Sequence, residues 1–256
     1  MSQEIFKRYE KKYLLNQFQY ETFLKRMSHT MKEDQYGNYT ICNIYYDTKQ
    51  YELIRNSIEK PLYKEKFRIR SYGIPNQQDK VFLEIKKKFD GIVYKRRVEV
   101  MFEELSSIMN SGFMEEGNQI MNEISWFFQM YHPEPKVYIA YDRVAYYGID
   151  EPELRVTFDR NIRWRKENLD LSAGDDGEKV LGPDQILMEI KIPGAIPVWL
   201  SEALAESNIY PISFSKYGTC YQTHLYKDLL TESFHQSNYK KTSYQQGGKI
   251  QCLAVS

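Results

Sequence analysis

The sequence predicts an α+β protein: an antiparallel eight-stranded β-barrel tunnel with a basic lumen and helices packed outside. Three observations predict this. First, four stretches place charged or polar side chains at every second residue: Lys64-Lys66-Arg68-Arg70, Glu84-Lys86-Lys88, Arg155-Thr157-Asp159 and Glu189-Lys191. The residues between them are largely apolar, as in Phe67, Ile69, Leu83, Ile85, Val156, Phe158, Met188 and Ile190. Period-two alternation is the mark of a β-strand. Second, the polar face is almost purely cationic, whereas an ordinary half-buried sheet turns mixed polar residues to water. Third, no βαβ rhythm with Gly-rich turns occurs, so a Rossmann fold is excluded.

The elements follow in order. Residues 6–15 alternate and form a first strand. Residues 17–31 space Phe18, Phe23, Leu24, Met27 and Met31 as a helix does. Residues 40–47 are an Ile- and Tyr-rich strand, and Asp47-Thr48 caps a short helix ending near Ser57. Residues 62–72 are the most basic strand. Residues 80–89 and 92–101 make a hairpin about Asp90-Gly91. Residues 103–130 are mainly helical, interrupted by Gly112 and Gly117. Strands at 135–147 and 153–159 pair next, then a polar loop runs over 168–182. The last strand is 186–192, closed by Pro193-Gly194, and helices cover 196–208 and 215–230. Residues 1–230 form the domain, and 231–256 are a Ser/Gln/Tyr-rich tail without periodicity.

Charge narrows the function. The chain has 256 residues, with 35 basic and 35 acidic, so its net charge is zero. Neither DNA nor a membrane surface is favoured by that balance. Yet between Lys60 and Arg97 basic residues outnumber acidic ones roughly three to one. Local positive charge in a neutral protein favours a pocket. The cysteines Cys42, Cys220 and Cys252 form no CxxC pair, so free thiols are expected. The charged start and the lack of a long apolar run predict a cytoplasmic protein.

On the expected inner face stand Lys12, Lys66, Arg68, Arg70, Lys86, Lys88, Lys95, Arg97, Arg143 and Arg155. Glu10, Glu84, Glu99, Asp159 and Glu189 pair with only some of them. One such strand alone is a solvated ladder with cross-strand ion pairs; four with the same bias call for anions from outside. Arginine forks bind phosphate oxygens in pairs, and lysine adds point charge. Interspersed glutamates argue against a nucleic-acid surface. Glu189 and Glu84, with Glu10 third, are the metal candidates, since carboxylates suit Mg²⁺ or Mn²⁺. No P-loop, HRD or DFG motif is present.

Eight segments occur in a set order: Tyr9-Glu10-Lys11-Lys12-Tyr13, Phe67 to Gly73, Leu83-Glu84-Ile85-Lys86, Tyr94 to Arg97, Tyr141 to Tyr146, Leu154 to Asp159, Met188 to Lys191 and Ser213 to Tyr217. Together they resemble the VTC domain, the polyphosphate polymerase branch of the triphosphate tunnel metalloenzymes. The resemblance implies a tunnel in which the γ-phosphate of ATP is moved onto a growing polyphosphate, with Mn²⁺ or Mg²⁺. It also implies phosphate-binding roles for Lys12, Arg68, Arg70, Lys86, Lys95, Arg143, Arg155 and Lys216, with Glu189 as metal ligand. Arg143, Arg155, Lys216 and Glu189 are then the catalytic set. Two departures stand out. Ser213 occupies the place of a second lysine, and Arg8 stands where the wider superfamily tends to have a glutamate. The alternatives are a triphosphate or polyphosphate hydrolase of the same fold, or a non-catalytic polyphosphate or nucleotide sensor. Any membrane-protein partner is expected on another chain.

Overall fold

The computed structural model describes residues 9–90, 92–111 and 118–227. One antiparallel sheet dominates. Its strands are β1 (Tyr9–Leu15), β2 (Met31–Glu33), β3 (Tyr39–Asp47), β4 (Tyr63–Tyr72), β5 (Lys80–Phe89), β6 (Ile92–Met101), β7 (Glu134–Gly148), β8 (Arg155–Arg165), β9 (Glu178–Lys179), β10 (Ile186–Ile192) and β11 (Pro211–Ile212). They pair in the order β11-β1-β10-β8-β7-β3-β4-β5-β6, with β2 added to β7 and β9 to β8. Among the described residues the ladder is open, since β6 and β11 pair with no further strand, and closure into the expected eight-stranded barrel is not seen. The three strands beyond the expected eight, β2, β9 and β11, have three, two and two residues.

Among the described residues six α-helices accompany it: α1 (Gln17–Met27), α2 (Glu52–Ile58), α3 (Leu105–Ser111), α4 (Gln119–Tyr131), α5 (Val198–Glu206) and α6 (Lys216–Cys220). Local chemistry sets their starts. Asn16 Oδ1 accepts from the Gln19 N–H at 2.8 Å and Gln19 Oε1 accepts from Asn16 N–H at 3.1 Å, a reciprocal cap for α1. The buried Asp47 carboxylate accepts from the N–H groups of Leu53 and Ile54 at 2.9 and 3.0 Å, and so fixes the start of α2.

Alternation sorts the sheet into two faces. The apolar set goes outward, under helices. Tyr13, Val156, Phe158, Met188 and Ile190 pack with Phe23 of α1 and Leu200 of α5. Phe67, Ile69, Leu83 and Ile85 pack with Met121, Ile124 and Phe127 of α4. The charged set is left on the other face.

Residues 6–8, including Arg8, the glycines Gly91, Gly112 and Gly117, and the expected tail with Cys252 lie outside the described residues. The helix expected through Met31 ends at Met27, because Met31 joins β2 against Gly148. β8 runs six residues further than expected. Asn161, at φ 52°, sits where the β7 register slips between Ala140 and Asp142, and that bulge breaks the alternation. The chain divides into two compact units, Met1–Gly218 and Thr219–Ser256. The sheet lies in the first. In the second, a π-helical turn spans Tyr221–Leu225. Among the described residues no helix is long and apolar enough to cross a membrane.

Candidate functional site

Register brings the cations together. Lys66 on β4 is opposite Lys86 on β5, which is opposite Lys95 on β6. Lys64 likewise faces Lys88. Like charges directly opposite destabilise a sheet, so this lysine field has a cost that a bound anion or loss of a lysine proton would lower. The next row alternates sign, Arg68 to Glu84 to Arg97. On the other side, Lys12 of β1 is opposite Glu189 of β10, which is opposite Thr157 of β8.

The charged face is concave. Lys12 and Lys66 sit on strands five places apart in the ladder. Both nonetheless reach the segment before α6: Lys12 Nζ donates to the Phe214 carbonyl at 3.0 Å, and Lys66 Nζ to Ser215 Oγ at 3.2 Å. The next residue, Lys216, donates to Asp159 Oδ2 on β8 at 2.5 Å.

Two buried carboxylates organise the arginines. Glu84, 2% exposed, takes Arg68 Nε and Nη2 on Oε2 at 2.8 and 2.6 Å, and Lys95 Nζ on Oε1 at 3.1 Å. Arg70 Nη1 lies 3.6 Å from the same Oε1. Asp159, fully buried, receives Arg143 through two bonds of 2.6 and 2.8 Å, together with Lys216. Tyrosines complete the shell. Arg68 donates to Tyr45 Oη at 2.9 Å and Arg70 to Tyr141 Oη at 3.2 Å. Lys216 Nζ lies 4.2 Å from the centroid of the Tyr141 ring. Tyr217 stacks on Tyr45 at 4.9 Å and donates its O–H to Asp47.

Titration follows this geometry. Burial alone would raise the Glu84 and Asp159 carboxyls, but their cationic partners hold both below the ordinary range. Glu189 behaves the same way: burial raises it, and Lys191, Lys12, Lys216 and Arg143 outweigh that. Burial would raise the Tyr141 phenol, yet Arg70, Arg143 and Lys216 bring it to about 8. Burial lowers Lys66 to about 7, aided by Lys64, Lys86 and Lys12. Burial also lowers Lys95, to about 8 against the pull of Glu84.

The lysine shifts have a testable sign. Their folded values lie below the unfolded ones, so between about pH 7 and pH 10 the unfolded chain binds more protons. Ligand-free stability should rise with pH across that window. A bound anion needs the charged lysines, so tripolyphosphate should raise the melting temperature less as pH climbs. Lys66→Arg, charged throughout, should flatten both trends. Melting curves with and without tripolyphosphate check this; an unchanged slope in Lys66→Arg would place the titration elsewhere.

The remaining sequence candidates are near this centre or at its margins. Glu10 lies 3.4 Å from Lys12. Arg97 sits over the Phe82 ring at 4.8 Å. Arg155 is exposed, and its charge acts on Tyr39. Lys86 is solvent-accessible, but its charge acts across the concavity with Glu10, Lys12 and Glu189. Sequence reasoning missed Tyr45, Asn43, Tyr141, Asp47 and Tyr217. A signal existed: Asn43, Tyr45 and Asp47 alternate, as do Tyr141 and Arg143.

Among the described residues no three His, Cys, Asp or Glu side chains converge as a metal cage. Glu84 is engaged by three cations. Glu189 is buried and ion-paired to Lys191 at 3.3 Å, and the buried Thr157 Oγ1 opposite it has no hydrogen-bond partner. Such a donor set fits a hard divalent ion whose other ligands are phosphate oxygens and water, the usual manner of Mg²⁺.

A family model described as the VTC domain matches residues 7–225. No curated protein matches the chain. Two solved structures are similar in fold. One is a candidate adenylate cyclase from Bacillus halodurans, 12% identical, with TM-score 0.50, covering 80% of this chain and 92% of its own. The other is a candidate adenylyl cyclase from Hippeastrum, described as having a dominant triphosphatase activity; it is 15% identical with TM-score 0.50, covering 81% and 92%.

Proposed function

The chain belongs to the VTC domain family, and from that premise we propose that it is a metal-assisted phosphotransferase which builds inorganic polyphosphate from ATP. The curled sheet is then the wall of a tunnel. The observation that carries this reading is the lysine row Lys66-Lys86-Lys95, joined across the concavity by Lys12 and running into the Arg68, Arg70 and Arg143 forks. A linear run of cations suits a linear run of phosphates.

Catalysis in this reading is positioning and charge neutralisation. Arg143 and Lys216, held on one carboxylate, converge on the transferred phosphoryl group. Arg68, Arg70, Arg97 and Arg155 hold the triphosphate, and Lys12, Lys66, Lys86, Lys88 and Lys95 hold the growing chain. A terminal oxygen of that chain attacks the γ-phosphorus; the new P–O bond forms as the bond to the β-phosphate oxygen breaks, and the nucleoside diphosphate leaves. A Mn²⁺ or Mg²⁺ ion, when bound at Glu189 and the phosphates, supplies charge neutralisation there. Hydrolysis, with water as acceptor, is the second reading in the same fold, and Ser213, an exposed hydroxyl where the resemblance implies a lysine, leaves room for a sensor.

The deciding experiment incubates pure protein with ATP and Mn²⁺ and resolves products on a gel. Long polyphosphate supports the polymerase, free phosphate alone the hydrolase, and binding without turnover a sensor. Glu189→Gln should abolish turnover while tripolyphosphate binding survives; unchanged activity in that variant removes Glu189 from the mechanism.

A further inference from the structure

The concave face has a second chemistry at one end. Tyr39 of β3, Tyr72 of β4 and Phe82 of β5 share it by register: Tyr39 is opposite Arg143, Phe82 is opposite Arg70, and Tyr72 is two residues from Arg70. With Tyr36 they form a continuous ladder, with centroid separations of 6.2 Å (Tyr36 to Tyr39), 6.0 Å (Tyr39 to Tyr72) and 5.5 Å (Tyr72 to Phe82). Arg97 closes the ladder over Phe82. None of these rings belongs to either apolar core. Tyr36 and Tyr72 are 69% and 48% exposed. Neighbouring rings lie tilted or edge-on, at 74°, 56° and 79°, and Tyr39 and Phe82 are half-buried, so the exposed Tyr72 ring beside the arginines is the face against which a flat, apolar group carrying negative charge on one side can lie.

We propose that this ladder is the nucleobase site, so that a nucleoside triphosphate lies with its base against Tyr72 and its phosphates pointing toward the lysine row. The proposal rests on the phosphate-binding reading above and adds the orientation of the substrate. Its scale is right. Phe82 and Lys86 are four residues apart on β5, ~13 Å at the rise of an extended strand, the order of length of an extended nucleoside triphosphate. Arg68 and Glu84 lie between these two ends, and Arg70 is level with Phe82. The base therefore sits at the aromatic end, and the chain of phosphates grows past Lys66 toward Lys64 and Lys88.

The test compares ATP with tripolyphosphate, which has the phosphates and no base. Calorimetry is run on the whole chain and on its Tyr72→Leu and Tyr72→Phe variants. Stacking predicts that Tyr72→Leu binds ATP about tenfold more weakly while tripolyphosphate changes less than about twofold, and that Tyr72→Phe restores ATP binding. A fluorescent 2-aminopurine triphosphate should be quenched by the parent chain and less by Tyr72→Leu. Equal loss for both anions would make the ladder a structural brace and overturn the proposal, as would unchanged ATP binding. Failure of the parent chain to bind tripolyphosphate would instead overturn the phosphate reading, and this proposal with it.

Discussion

Asp159→Asn should destabilise the ligand-free protein by about 3–5 kcal/mol. The carboxylate is fully buried and serves Arg143 and Lys216 together. The amide keeps the shape and removes the charge, leaving two buried cations without their directly bonded carboxylate, with Glu189 acting on both only from further away. For a chain of this size the melting temperature should fall on the order of 10 °C. The pH dependence has a definite sign. Arg143 and Lys216 outweigh burial and depress the Asp159 carboxyl. Its stabilising contribution is therefore complete above the ordinary carboxylate value and is lost as pH falls through the depressed one. Asp159→Asn should lack that part of the acid limb in urea titrations. Tripolyphosphate, by neutralising the stranded cations, should recover part of the loss. A cost below about 1 kcal/mol would mean that water already solvates both cations.

The second large effect comes from replacing Arg68 and Arg70 together with Ala. Each charge-assisted hydrogen bond contributes roughly 1.5–3 kcal/mol, so tripolyphosphate affinity should fall by about two to four decades. Charge repulsion alone suggests that ligand-free stability would hold or rise, since two like charges leave. The structure reverses that expectation. Glu84 is buried, and the two arginines are two of its three cationic partners. The double variant should melt lower. Adding Glu84→Gln should restore stability without restoring binding. Calorimetry and thermal melts separate the two; a double variant as stable as the parent would show that Lys95 alone satisfies Glu84.

That reversal marks the limit of what the sequence shows. The bounds of β5, β6 and β10 are legible because alternation is strict and turn residues flank it. Which face is charged is legible for the same reason. The ends of β8 and the short β2 and β9 are not: a bulge at Asn161 interrupts the period, and two or three residues hold no period at all. Partnership is the deeper loss. Arg68 finds Glu84, and Arg143 finds Asp159, through register, and a list of candidate residues contains no register. Glu84 therefore looked equally suited to metal and to arginine. Tyr217 and Asp47, 170 residues apart, meet in the fold although neither stands in a motif that points to the other.

The ladder also fixes an order of events during synthesis. Among the described residues β1 pairs only with β10 and β11, so Tyr9 waits for Ile192 and Lys12 for Glu189 and Ile212. At ribosomal speeds of about 5–20 residues per second, the first strand spends on the order of ten seconds or more without a partner. Adjacent hairpins such as β5 with β6 can form in the meantime. An orphan strand is an aggregation hazard unless it is guarded. Glu10, Lys11 and Lys12 provide that guard at the start of β1. Lys12, which lines the concave face of the folded protein, is thus one of the charges that first keep the nascent chain soluble.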